Sequence, residues 1–228
     1  GEYGGRVLYV NEENRISAIP LTILGGISQL IITLIMGTAG LLYLKYFIAE
    51  PSVLFVALPA IAANIFIYVG LVLSLVLLVF YFEAGFMVKL IKRAGFLKGI
   101  VKYLLSLQQF ARKDLLRILF LSFLRYLVFI LQYLLLLHLL DVNINPATCF
   151  WLLTIFYLLL ALAPTIGFTE LPVRAAASVE ILQLYSSNIL GIQAASFGIW
   201  VINLVVPALI GSILIFSIKI IKDNEVTL

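Results

Sequence analysis

The sequence is poor in the residues that most chemistry needs. Its 228 residues include one cysteine, Cys149, and one histidine, His138. A lone cysteine excludes an internal disulfide and any cysteine-based metal cluster. No Ser/His/Asp set, metal-ligand cluster, phosphate-binding loop or dinucleotide fingerprint is present. No catalytic residue, metal or other cofactor is therefore expected. Charge is scarce too: 11% of residues are charged, against roughly 25% in a typical soluble domain. With 64% of residues hydrophobic, a soluble domain of this size could not cover itself.

What the chain has instead is long apolar runs. Several reach about twenty residues or more, the length of a transmembrane helix, whereas barrel strands alternate in runs of about ten. The expected fold is all-α, a polytopic transmembrane helical bundle forming a single integral membrane domain over residues 1–228. Span A covers 16–47, span B 53–82 and span C 115–140, span D starts near Ala147, and span E covers 192–218. Span A is longer than a membrane requires, so it tilts, kinks at Gly25-Gly26 or Gly37, or begins in the interface. Tyr43, Tyr46 and Trp151 suit an interfacial belt, and Asn64, Gln132 and Asn203 suit bridges between helices. The chain opens on Gly1 with no signal-peptide pattern, which suggests a fragment of a larger domain.

The net charge of +4 is unevenly spread. Residues 83–117 hold eight of the fifteen basic residues, from Lys89 to Arg117. Within them, 96–111 is amphipathic at helical period: Leu97, Ile100, Val101 and Leu104 share one side, away from Lys98 and Lys102. This segment reads as an interfacial helix on an anionic leaflet, or simply as the positive-inside signal. Both readings place it in the cytoplasm, in a multi-pass protein of the cell (inner, cytoplasmic) membrane. Nothing beyond this loop points to nucleic acid.

Residues 164–180, PTIGFTELPVRAAASVE, interrupt the apolar sequence with two prolines, a glycine, two glutamates and an arginine. If span D crosses completely, span E must end outside, yet Lys219 and Lys222 in the tail favour the inside. The conflict disappears if span D and the following helix form a re-entrant, broken pair that enters and leaves on the outer side. Irregular backbone at that depth is tolerated only when buried in protein or lining a wet cavity. The other reading is a cytoplasmic loop with an outward tail.

Glu170 and Arg174 are spaced i, i+4 and can pair across the start of a helix near Leu171, with Pro172 in the first turn and Gly167 just upstream. Such an N-terminus with an arginine suits an anion such as phosphate. Arg125 lies inside span C, and Ser122 shares its face. A central arginine costs at least about 2.5–3.5 kcal/mol, so it faces the protein interior or snorkels to the surface. Glu170, Glu180 or a lipid phosphate are its candidate partners. Glu2 and Arg6 repeat the Glu170–Arg174 spacing, which would fit two related halves around one site.

GEYGGRVLY at the start, LSFLRYLVFILQYLLLL in span C and PTIGFTELPVRAA together resemble the lysylphosphatidylglycerol synthase transmembrane region family. In span A, GGISQL stands where many members have an acid–Arg pair. The resemblance implies lipid handling, with the headgroup met by Glu2 and Arg6, Ser122 and Arg125, and Pro164, Gly167, Glu170 and Arg174. It implies no synthase activity, because the soluble synthase domain is absent from this chain. The expected function is translocation or binding of a phospholipid or other anionic lipid between leaflets. The alternative is a non-transporting subunit that presents lipid to a partner enzyme, and a homo-oligomer is also open.

Overall fold

The computed structural model describes residues 15–47, 60–83, 110–163 and 169–213. They are helical, with no strand among them. The helices are α1 (Arg15–Phe47), α2 (Ala60–Phe82), α3 (Arg112–Leu139), α4 (Pro146–Leu162), α5 (Glu170–Leu182) and α6 (Ile189–Trp200). The last continues through a π-helical turn, Val201–Val205, to Ile213. Four segments are long and apolar enough to cross a membrane: Thr22–Phe47, Asn64–Phe82, Arg112–Leu139 and Ile189–Ile213. The chain is thus an all-α, multi-pass membrane protein, as its composition demanded. The amphipathic segment 96–111 lies outside the described residues except for its last two.

The chain forms two compact units. The first holds α1, α2, the first part of α3 up to Ile130, and α4 from Trp151. Here α1 and α2 run antiparallel. Lys45 Nζ donates to Asn64 Oδ1 at one end, Gly70 approaches Thr38 midway, and Ser28 meets Tyr81 at the other end. The Tyr81 hydroxyl donates to the Leu115 carbonyl at 3.0 Å, while the Ser28 hydroxyl lies 2.8 Å from both the Tyr81 oxygen and the Leu24 carbonyl. Leu24, Ile31, Tyr81 and Leu115 form the buried core around this junction.

Helix α4 runs antiparallel to α1. Gly37 faces Leu158, Gly40 faces Thr154, and Tyr43 stacks on Trp151 with ring centroids 5.1 Å apart. Small residues let the two backbones close, the usual basis of helix contact where lipid removes the hydrophobic drive. A Cβ at Gly40 would collide with the Thr154 hydroxyl and come within 3.0 Å of the Trp151 carbonyl. At 17 residues, α4 is about 25 Å long and stops beside the middle of α1.

The second unit holds the remainder of α3, the start of α4, α5 and α6. Helix α3 ends in a Schellman motif: Val142 N–H donates to Leu137 O and Asp141 N–H to His138 O. Asp141 takes the left-handed position there, at φ 56°. Asn145 then caps α4 by accepting from Ala147 N–H, with Pro146 at the first helical position. Asn188 caps α6 through Gly191 N–H at 2.9 Å, and its amide donates to Leu140 O at 2.9 Å. The turn before α4 and the turn after α5 are therefore tied together. The excursion through α4 and α5 begins and ends at one level. Helix α5 starts at Glu170, one residue before its expected start, and ends at Leu182. The π turn in α6 precedes Pro207, which has no N–H for the Asn203 carbonyl and forces a wider local pitch.

Two outcomes test this architecture. Gly40→Leu is expected to lower stability in detergent by about 1–3 kcal/mol through overpacking. Gly25→Ala, whose added Cβ meets nothing within 4 Å, should lose none, and a thermal melt separates the two. In a Cys149→Ala background, Asn143→Cys and Ser187→Cys should react with an impermeant thiol reagent from the same face of the membrane. Labelling from opposite faces would contradict the tie through Asn188.

Candidate functional site

In the first unit, α1, α3 and the end of α4 enclose a cleft of about 480 Å³. Helix α1 contributes Thr22, Gly25, Gly26, Gln29 and Thr33, which repeat at helical spacing and share one face. Helix α3 contributes Ile118, Leu121, Ser122 and Arg125, and α4 contributes Ala161. The volume lies within the range of about 300–1,000 Å³ usual for small-ligand sites.

Arg125 lies 13 residues after Arg112 and 14 before Leu139, the midpoint of a 28-residue helix. It lies about 12 Å along the helix beyond Arg117 and about 20 Å from either helix end. Its guanidinium lies over the Phe129 ring at 5.2 Å from the centroid, one turn further along and away from the Arg112 end. The ring face offers partial compensation for the charge. Among the described residues no carboxylate forms an ion pair with Arg125. Glu180 instead accepts a 3.4 Å hydrogen bond from Gln183.

The rest of the wall is polar but uncharged. Ser122 is buried. The Thr33 hydroxyl donates to the Gln29 carbonyl at 2.9 Å. Gln29 Oε1 is buried without a hydrogen-bond partner, an arrangement uncommon in folded proteins. Gly25 leaves open space where a side chain would stand. The rim is apolar: Leu30 and Leu121 stay exposed at the surface where lipid would lie.

A second polar cluster lies in the other unit. Arg174 donates to Glu170 Oε1 at 2.8 Å, and the side chains are 16% and 24% exposed respectively. The i, i+4 pair anticipated from the sequence is thus formed. Arg174 Nε is buried without a partner. The Tyr133 hydroxyl sits among Ser178, Ser196 and the Arg174 guanidinium, which interact with it electrostatically. The anion at the start of α5 is the Glu170 carboxylate itself, placed where the helix dipole favours it.

The structure brings Ser122 and Arg125 together, and likewise Glu170 and Arg174, but in separate compact units. The expectation had gathered Arg125 and Arg174 around one headgroup. Glu170 is engaged by Arg174. Glu2, Arg6, Pro164 and Gly167 lie outside the described residues. Sequence reasoning missed Gln29, Thr22 and Thr33. Their spacing with Gly25 was the available signal, a polar and glycine stripe along one face of an otherwise apolar span. No family model, curated protein or solved structure matches this chain.

Removing one member of the Glu170–Arg174 pair is expected to cost more than removing both, because it leaves a mostly buried charge uncompensated. Glu170→Ala should destabilise the protein by about 2 kcal/mol or more, and the double variant Glu170→Leu/Arg174→Leu should recover most of that loss. Denaturation of all three variants in one detergent checks the order.

Proposed function

We propose that this protein handles phospholipid, holding the headgroup within the membrane at the Arg125 cleft while the acyl chains remain in the bilayer. The observation that carries this reading is Arg125 itself: a cation at the midpoint of a spanning helix, facing an open cleft, with no carboxylate paired to it among the described residues. The side chain of Arg125 is exposed at the cleft; a cation within a bilayer without a counter-charge is costly, and a bound phosphate would supply one. Guanidinium suits phosphate because its planar fork can donate two parallel hydrogen bonds. The adjoining Leu30 and Leu121 offer an apolar surface to acyl chains. The same function is implied by the resemblance to the lysylphosphatidylglycerol synthase transmembrane region.

The fold supports movement between leaflets rather than attachment to one. Helix α4 ends at the level of the cleft, since Ala161 in its last turn lines it. The chain then returns to the level from which α4 began. On this reading α4 and α5 form a re-entrant pair. With 83–117 on the cytoplasmic side, the four spanning segments then bring the tail back to that side, in keeping with Lys219 and Lys222. Broken helices of this kind build the midplane sites of secondary transporters.

The reading is tested in vesicles carrying a fluorescent phospholipid whose leaflet is read by quencher access. Arg125→Gln is expected to slow movement roughly tenfold or more, the loss of a charge-assisted hydrogen bond. Gly25→Phe should act similarly by filling the cleft. Both variants should melt like the unaltered protein. Unchanged movement in folded variants would remove the cleft from the mechanism.

A further inference from the structure

We infer that the cleft selects lipids whose headgroup carries a net negative charge over zwitterionic ones, and that Gln29 sets this preference. The inference rests on the proposal that the cleft binds a lipid headgroup, and goes further by fixing the charge class and the residue responsible. Among the described residues that line the cleft, Arg125 is charged and none is acidic. A monoanionic phosphodiester with a neutral headgroup, such as phosphatidylglycerol, balances that single positive charge. A zwitterionic headgroup brings an ammonium beside the guanidinium, with no carboxylate in the wall to receive it. A trimethylammonium group also needs an aromatic face, and the Phe129 ring next to the cleft already carries Arg125.

Gln29 occupies the position where an acid would reverse this balance. It lines the cleft from α1, opposite Arg125 on α3. Its Oε1 is buried without a hydrogen-bond partner, and its amide nitrogen is the donor of that side chain. That nitrogen donates and so adds to the guanidinium as a partner for phosphate oxygen. The Thr33 hydroxyl proton is committed to the Gln29 backbone carbonyl, so Thr33 offers no further donor of its own. Glutamate has the same shape as glutamine but would place a carboxylate in the cleft. The net charge of the lining would fall from +1 to zero, and an amine-bearing headgroup would gain a partner.

The test is binding of phosphatidylglycerol, phosphatidylethanolamine and phosphatidylcholine to the full chain in detergent micelles, read by native mass spectrometry. Inorganic phosphate and glycerol 3-phosphate serve as soluble competitors. The unaltered protein is expected to prefer phosphatidylglycerol over phosphatidylcholine roughly tenfold. Gln29→Glu should collapse that preference and raise phosphatidylethanolamine relative to the other two lipids. Gln29→Met, which adds no charge, should keep the ordering. Ser122→Asp places a carboxylate on the α3 wall and should act like Gln29→Glu, which covers the case in which the first variant fails to fold. Equal binding of all three lipids, still weakened by Arg125→Gln, would overturn the charge preference while leaving the cleft as the headgroup site. Binding indifferent to Arg125→Gln would overturn the cleft itself. A preference that survives both carboxylate variants would remove Gln29 as its determinant. Complete displacement of phosphatidylglycerol by inorganic phosphate would make the site one for a soluble anion.

Discussion

The tie among Ser28, Tyr81 and Leu115 is the constraint on which the first unit depends. One phenolic hydroxyl from α2 reaches the backbone of α3 while the serine of α1 sits against it. All three groups are buried, where an unpaired polar atom is costly and a satisfied one specifies a single arrangement. The junction fixes α1 against the first turn of α3. From there the α1 face through Gln29 and the α3 face through Arg125 run side by side and leave the cleft between them. Phe110, Ile118 and Leu119 pack against the same core, and Ile118 also lines the cleft.

Two charged groups inside the apolar part of the chain are handled in opposite ways. Arg174 has its own carboxylate one turn away and is largely enclosed, so its charge is compensated within the helix that carries it. Among the described residues, Arg125 has the face of Phe129 and an open cleft. A compensated pair at the start of α5 suits a clamp that holds the returning helix. An uncompensated cation at mid-depth suits a site that something else completes. Both arginines are equally conspicuous in the sequence, and their difference lies entirely in what surrounds them.

The break between α4 and α5 follows from backbone chemistry more than from any one contact. Pro164 and Gly167 disfavour a continuous α-helix, whereas Pro172 sits in the first turn of α5, where proline is tolerated. Asn188 then supplies what the return requires, joining the turn that follows α5 to the turn that precedes α4. One side chain caps α6, accepts from its first turn and donates to the carbonyl at the end of α3.

The helical class, the spans and their approximate limits could be read from the sequence, because a bilayer demands long apolar segments with their backbone bonds satisfied internally. Arg15–Phe47 and Arg112–Leu139 lie within a few residues of the limits set by hydropathy alone. The Glu170–Arg174 pair was legible for the same reason: an i, i+4 spacing acts within one helix and needs no other part of the fold. The cleft was not legible. Gln29 and Arg125 are 96 residues apart, and nothing local to either marks the other as its neighbour. Their approach depends on the register of α1 against α3, set by Tyr81 on a third helix. The sequence by itself determined which segments are helical and membrane-spanning and which charges pair within a turn. Only the tertiary structure decided which arginine, among the described residues, is left without a carboxylate partner, because pairing between distant helices depends on packing that no single helix encodes.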